Sequence, residues 1–252
     1  MRVKGGTTRT LLMFLLLVAL IIALLAGGAE LLESRTIYRP KYEIAWAYPT
    51  NYGERYAKDI NGIPVYNQPI IVLHETVSSA VDAIRFFQTP HYDENEQASY
   101  HALIKLDGTV VYIVPPEKRA FGAGNSVFDG SNGPEAVKTH PNFPPSVNNF
   151  AYHAAFETPS SGRNNNQTHS GYTQAQYSSL AWLIAQASVP DERITTHRAV
   201  DRSGERIDPR SFDFKKFLNL LNSYRRASAA ESQIFGSTTQ LIRQKAPVFK
   251  PH

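Results

Sequence analysis

The stretch IIVLHETVSSA, residues 70–80, decides the fold class and supplies the first candidate for chemistry. Four apolar residues, Ile70 to Leu73, run directly into His74 and Glu75, and the chain then turns small and polar. A short apolar run of this kind is typical of a buried strand. A strand end is a rigid platform at a sheet edge, so it can aim an imidazole into a cleft. The alternative for His74, as for any lone histidine, is a purely local hydrogen bond.

The segments around this strand alternate between strand and helix patterns. A Ser-capped helix is predicted where Ala80, Ile84 and Phe87 recur at helical spacing. SYHALIKLDGTVVYIVP, residues 99–115, alternates around Asp107-Gly108 and predicts a hairpin. FAYHAAFETP, residues 150–159, predicts another strand.

Two more helices are predicted downstream. Thr173, with Gln176 three residues later, has the pattern of a capping box and begins a helix that ends near Pro190. A second helix is predicted from Phe212 to Tyr224. Strands mixed with helices indicate an α/β fold, with one domain from residue 66 to 226.

The N-terminal segment has the pattern of an export signal. Arg2, Lys4 and Arg9 precede an unbroken apolar run from Leu11 to Ala26, and small residues follow before Glu30. Residues 1–29 are therefore predicted to be a signal peptide that is cleaved or a signal anchor that is retained, and the sequence leaves both open.

Three further segments fall outside the regular pattern. Residues 30–65 are rich in Tyr and Pro and are predicted to form an extended arm on the domain. Residues 115–150 carry many Pro, Gly and Asn and predict a long irregular loop. Residues 227–252 are polar and predict a flexible tail.

Composition excludes several classes of site and partner. The 252-residue chain has no cysteine, so a disulfide, a thiolate metal ligand and a cysteine nucleophile are all excluded. The formal charge of +4 resides in the first 29 and last 26 residues, which leaves a near-neutral body. Such a body argues against binding to nucleic acid.

His197 shares the context of His74, because it too follows a β-branched run, RITTH. Two carboxylates follow it, Asp201 and Asp208. Two histidines and one carboxylate satisfy a catalytic zinc ion, which keeps a fourth position open. Pro209 restricts the backbone of Asp208 and slightly favours it, but the residues themselves leave both carboxylates open.

The order of five segments resembles the zinc-dependent N-acetylmuramoyl-L-alanine amidases of the type 2 family over residues 69–217. These segments are IIVLHET, SYHALIKLDGTVVYIVP, FAYHAAFETP, YTQAQYSSLAWLI and ITTHRAVD with DPRSFDF. The resemblance implies a single domain with a central mixed β-sheet flanked by helices, similar to peptidoglycan recognition proteins.

The resemblance also implies a set of site residues. It makes His74, His197 and Asp208 the zinc ligands, which resolves the choice between Asp208 and Asp201. Glu157 matches a strand glutamate near the metal, and Tyr100 matches a tyrosine beside it, although a salt bridge and core packing are their structural alternatives.

Three features depart from the family pattern. Arg206 stands where a catalytic lysine is common, and an arginine can stabilise an oxyanion but cannot act as an acid. The spacing from His197 to Asp208 is one residue longer than expected. Gly122 occupies a position where a histidine is common.

His101 is predicted to be structural, because neighbouring strand residues such as Tyr100 and His101 face opposite sides of a sheet and cannot both face the metal.

The function implied by the resemblance is zinc-dependent hydrolysis of the bond between N-acetylmuramic acid and L-alanine. The expected partners are peptidoglycan or muropeptides. The protein is expected to be an exported monomer in the periplasm or cell-wall space. The alternative is a non-catalytic peptidoglycan-binding protein of the same fold. A serine hydrolase is disfavoured because the chain lacks a G-x-S-x-G motif.

Overall fold

The computed structural model describes residues 38–235, with side chains up to residue 229. The predicted signal segment 1–29, residues 30–37 of the predicted arm and residues 236–252 of the predicted tail lie outside the described residues. In the described part, none of the helices combines the length and the apolar character needed to cross a bilayer.

Within residues 38–235 the regular structure consists of ten strands, four α-helices and three short 3-10 helices. The strands are β1 (Tyr42–Ile44), β2 (Tyr52–Gly53), β3 (Ile70–Glu75), β4 (Ala102–Ile104), β5 (Val110–Tyr112), β6 (Arg119–Ala120), β7 (Phe128–Gly130), β8 (Gly133–Glu135), β9 (Ala151–Phe156) and β10 (Ile194–Thr196). The α-helices are α1 (Ala80–Gln88), α2 (Gln174–Ala185), α3 (His197–Val200) and α4 (Phe214–Phe235).

A six-stranded sheet in the order β1-β5-β4-β9-β3-β10 forms the centre of the fold. Only the β4–β5 hairpin is antiparallel, and the other four pairs are parallel. The carboxyl ends of β3, β4, β9 and β10 therefore meet at one edge of the sheet. The predicted class, a mixed sheet flanked by helices in one domain, is confirmed.

Apolar side chains cover the sheet on both faces, which explains why all residues of β3 and β9 are buried. Helices α2 and α4 pack on one face through Leu180, Ile184 and Phe217. Helix α1 packs on the other face through Phe87. The rest of that face is covered by the 115–150 loop, which contributes Phe128.

The local signals in the sequence match the structure closely. The Ser79 side chain caps α1, and Thr173 and Gln176 form the reciprocal capping box of α2. Gly108, in the turn between β4 and β5, has a φ of +87° that favours glycine.

Three details were not foreseen from the sequence. The segment predicted as an extended arm contains strand β1, which joins the sheet beside β5. The predicted irregular loop contains the short strands β6, β7 and β8. Helix α4 begins at Phe214 and ends at Phe235, eleven residues beyond the predicted helix end at Tyr224, because RASAAESQIF (226–235) consists mostly of residues compatible with a helix and Gly236 follows it.

Candidate metal centre

Two neighbouring parallel strands place the first two candidate ligands side by side. His74 lies near the carboxyl end of β3, and His197 follows β10 directly. The register pairs Thr196 with Leu73, so the next residues along both strands are the two histidines. Their ring centroids lie 4.6 Å apart.

Asp208 completes the cluster from the loop that follows α3. Its Oδ1 lies 3.0 Å from Nδ1 of His197, and its Oδ2 lies 3.5 Å from Nδ1 of His74. One ligand atom from each residue lies within 4.8 Å of the other two, and all three residues are buried. Asp201 is not part of the cluster.

The donor set fits a zinc ion. Nδ1 of His74 is buried, lies 3.5 Å from Oδ2 of Asp208 and has no hydrogen-bond partner among the described residues, so its lone pair is available to a metal ion. Burial lowers the pKa of His74 to about 4, despite the opposing effect of Asp208, so the imidazole is neutral at pH 7. His74, His197 and Asp208 would hold the ion with two nitrogens and one carboxylate, the set typical of a catalytic zinc site that also binds water.

Asp208 supplies the negative charge of this set. Burial raises the pKa of its carboxyl group, but the neighbouring imidazoles of His197 and His74 outweigh burial and hold the pKa below its ordinary value. The group is therefore a carboxylate at neutral pH, which is the form that binds a metal ion.

Tyr100 lies directly against the cluster. Its ring stacks on His74 with centroids 4.7 Å apart and also contacts Phe87 edge to face. Burial raises the pKa of Tyr100 well above its ordinary value, so the hydroxyl group keeps its proton and can donate a hydrogen bond.

Glu157 lies one residue beyond β9, at the same sheet edge as His74. Its carboxylate accepts hydrogen bonds from the backbone N–H groups of Ala80 (3.1 Å) and Leu106 (3.0 Å), and it pairs with Arg163 at 3.3 Å. Within residues 38–229, none of its hydrogen bonds or ion pairs joins it to His74, His197 or Asp208.

Arg206 is exposed on the loop between His197 and Asp208. Burial and the Asp208 carboxylate have larger effects on the pKa values of His74 and Tyr100. The positive charge of Arg206 has a smaller effect and lowers both values. The Asp201 carboxylate organises this loop, because it accepts hydrogen bonds from the backbone N–H groups of residues 203–206 at 2.8 to 3.2 Å.

Sequence reasoning did not identify His153 as part of the site. Nδ1 of His153 lies 2.9 Å from Nε2 of His74, and both residues are fully buried. A Cβ atom at Gly122 would lie 2.5 Å from Cγ of His153, so only glycine fits beside this ring. The one feature of the sequence that indicates the surroundings of His153 is Gly122, which stands where the family commonly has a histidine.

His101 lies behind His153 rather than in the cluster. Its Nδ1 accepts a hydrogen bond from the backbone N–H of His153 at 2.9 Å, and its Nε2 lies 3.1 Å from the carbonyl oxygen of Lys118. These contacts are those of a structural residue, as predicted.

A buried ion pair beneath the cluster was also missed. Arg210 donates from Nε to Oε1 of Glu75 at 2.6 Å and from a terminal nitrogen to Oε2 at 3.2 Å. Arg210 also donates to the carbonyl oxygens of Gly162, Asn164 and Asn166. The pair thus joins β3, the segment after Asp208 and the 160–169 loop.

Residues 66–211 match the family model described as N-acetylmuramoyl-L-alanine amidase. Comparison with curated protein sequences gives no significant match.

Solved structures with a similar fold include a selenomethionine derivative of AmpD, at 22% identity over 72% of this chain and 94% of that chain, with a TM-score of 0.49. AmpDh3 from Pseudomonas aeruginosa, in complex with an anhydromuramic pentapeptide, is 18% identical over 83% of this chain and 76% of that chain, with a TM-score of 0.46. The endolysin LysCS from Clostridium intestinale is 19% identical over 74% and 98%, with a TM-score of 0.43.

The matched segment covers more than half of the chain and includes His74, His197 and Asp208. The chain therefore belongs to the N-acetylmuramoyl-L-alanine amidase family.

Proposed function

We propose that this amidase uses zinc to hydrolyse the amide between the lactyl group of N-acetylmuramic acid and L-alanine in peptidoglycan. The observation that carries the proposal is the convergence of His74, His197 and Asp208, whose ligand atoms lie within 4.8 Å of one another at the sheet edge. A zinc ion held there would act as a Lewis acid toward the amide carbonyl and the attacking water.

Glu157 is proposed as the general base and acid. It would take the proton from the attacking water and pass it to the leaving amine of L-alanine. Its place just beyond β9, at the edge that carries His74, supports this role. The carboxylate would exchange its contact with Arg163 or Ala80 for the water when substrate binds.

Arg206 and Tyr100 are proposed to stabilise the negative charge that develops on the carbonyl oxygen. Arg206 is exposed, and its side chain has no hydrogen bond or ion pair within residues 38–229, so it is free to bind substrate. Tyr100 offers a protonated hydroxyl group beside His74. Positioned donors of this kind act where charge develops, which lowers the barrier.

Export to the periplasm or cell-wall space is proposed from the N-terminal sequence. The basic residues before the apolar run at 11–26 are typical of a signal sequence, and an exported amidase meets the cell wall directly. Membrane and soluble fractions of cells producing the tagged full-length chain would show whether the segment is retained as an anchor. A chain found only in the cytoplasm would contradict export.

The experiment that tests the function is digestion of purified sacculi with the zinc-loaded full-length protein. Mass spectrometry should detect stem peptides with a free L-alanine amino group and glycan strands that lack them. The metal content of the same preparation should be about one zinc per chain, as expected for this ligand set.

Two results would contradict the proposal. Fragments from cleavage within the glycan or within the peptide would change the reaction class. Binding to sacculi without any release of peptide, from a preparation with full zinc content, would indicate the non-catalytic binding protein instead.

A further inference from the structure

We propose that His153 is a positioning residue that holds the metal ligand His74 in the tautomer and orientation needed to bind zinc through Nδ1. The inference rests on the proposed zinc-dependent function. It concerns a contact between two residues 79 positions apart in the sequence, at a distance of 2.9 Å.

The two nitrogens of His74 have different surroundings. Nε2 lies 2.9 Å from Nδ1 of His153, whereas Nδ1 has no hydrogen-bond partner within residues 38–229 and lies 3.5 Å from Oδ2 of Asp208. A nitrogen that binds a metal must be deprotonated. Binding through Nδ1 therefore leaves the proton of the neutral ring on Nε2, and the nearest atom able to accept it is Nδ1 of His153.

This arrangement also fixes the tautomer of His153. Its Nδ1 must be the acceptor, so its own proton resides on Nε2. That atom is buried and has no hydrogen-bond partner in the described part of the chain. The polar atoms of the His153 side chain thus make one hydrogen bond, and that bond is directed at His74.

The surroundings of His153 hold its ring in place. Gly122 leaves the space for the ring, because a Cβ atom there would lie 2.5 Å from both Cγ and Nδ1. On the sheet, the backbone N–H of His153 donates to His101, whose ring is parallel to that of His153 at 5.8 Å. A ring held this firmly can restrict the rotation of His74.

A hydrogen-bond partner on the second nitrogen of a metal-bound histidine orients the ring and raises its basicity, and its loss typically weakens metal binding about 10–100-fold. Most such partners are carboxylates, carbonyl groups or water. In this chain a second neutral histidine would perform that task inside the sheet.

Two nearly isosteric variants separate this role from core packing. Oδ1 of Asn can accept the proton of His74 from the place of Nδ1, whereas Leu fills a similar volume without an acceptor. Both His153→Asn and His153→Leu remove the same part of the ring, so the difference between them measures the hydrogen bond. Zinc affinity should be determined by competition with a chromophoric chelator, and thermal unfolding of the metal-free proteins compared in parallel.

The expected result is a zinc dissociation constant for His153→Asn within about threefold of wild type and one for His153→Leu about 10–100-fold weaker. Equal zinc affinity of the two variants would overturn the positioning role. Failure of the wild-type chain to bind zinc would instead overturn the proposed function.

Nitrogen-15 NMR of the zinc-loaded wild-type protein gives a second measurement that does not depend on the variants folding. It should show His74 protonated on Nε2 and bound to the metal through Nδ1, with His153 protonated on Nε2. Binding of the metal through Nε2 of His74, or a proton on Nδ1 of His153, would overturn the inference.

Discussion

Nδ1 of His197 lies 3.0 Å from Oδ1 of Asp208, a residue eleven positions later on the loop that follows α3. This contact brings the third candidate ligand back to the edge of the sheet that carries His74. The cluster therefore depends on the register of β3 with β10 and on the path of that loop.

Removing one ligand should abolish metal binding. We expect His197→Ala to lose nearly all zinc and activity, because only His74 and Asp208 would remain to hold the ion. The measurement is metal content after dialysis, together with release of stem peptides from sacculi.

His140→Ala is the matched control for this variant, since His140 is partly exposed and pairs with Glu94. It should keep both zinc and activity. Full zinc occupancy in His197→Ala would refute the ligand assignment.

Glu157→Gln should separate metal binding from catalysis. The amide cannot accept a proton from water, so kcat should fall about 10²–10⁴-fold while zinc content stays unchanged. Steady-state kinetics on a soluble muropeptide would measure the change, with the exposed Glu192→Gln as control.

The contacts of Glu157 with Ala80, Leu106 and Arg163 suggest the competing outcome. If this carboxylate only ties these segments together, Glu157→Gln will lower the unfolding temperature and leave kcat unchanged. That pattern would remove Glu157 from the mechanism.

Asp201 should affect activity through Arg206. Its carboxylate accepts the N–H groups of the loop that presents Arg206, so Asp201→Ala should let this loop move. We expect Arg206→Met to lower kcat about 10²-fold, as the loss of one oxyanion donor does. Asp201→Ala should lower kcat about tenfold, which corresponds to about 1.4 kcal/mol.

The double variant tests whether the two residues act as a unit. When Arg206 is already absent, Asp201→Ala should cost almost nothing further, because coupled residues are not additive. Full additivity of the two effects on kcat would show that Asp201 acts independently of Arg206.

The sequence predicts the features that depend on neighbouring residues. The apolar run before His74, the capping box at Thr173 and the Asp107-Gly108 turn each have a local physical cause, and each lies where expected. The convergence of His74, His197 and Asp208 required the resemblance to a family, because the residues alone left Asp201 open.

The features that could not be predicted depend on contacts between distant segments. Strand β1 lies in a Tyr- and Pro-rich segment without clean alternation, so its own sequence does not predict a strand. The segment forms a strand because it pairs with β5. The ion pair of Glu75 could not be predicted from its neighbours in the sequence, because its partner Arg210 is 135 residues away. The contact between His153 and His74 likewise depends on the register of β9 with β3.

His101 should make the stability of the metal-free protein depend on pH. Burial, with a further contribution from the charge of Arg55, holds the pKa of His101 well below its ordinary value. The unfolded chain therefore binds a proton at this residue near pH 6.5, whereas the folded chain does not. Stability present above pH 6.5 is lost as the pH falls, with a limiting slope of about 1.4 kcal/mol per pH unit.

His101→Asn isolates this contribution, because Asn can still accept the backbone N–H of His153. Urea unfolding of chelator-treated protein from pH 7.5 to 5.0 should show a smaller loss of stability in the variant than in wild type. Parallel curves for the two proteins would show that His101 does not contribute.

The pair of Glu75 and Arg210 should be a main determinant of stability near the site. Both residues are buried, with Glu75 2% and Arg210 4% exposed, and the pair links the segments that carry His74 and Asp208. Arg210→Met would leave a buried carboxylate without its cation, which costs about 3–5 kcal/mol. Urea unfolding measures this cost. Zinc affinity should also weaken, because the segment that carries Asp208 would no longer be held to Glu75.

Two further variants make the interpretation specific. Arg202→Met breaks the exposed pair with Asp129, whose side chain is 74% exposed, and should cost at most about 1 kcal/mol. Glu75→Gln combined with Arg210→Met removes both charges and should recover part of the lost stability, because no unpaired charge remains buried. If Arg210→Met costs no more than Arg202→Met, the buried pair does not hold these two ligand-bearing segments together.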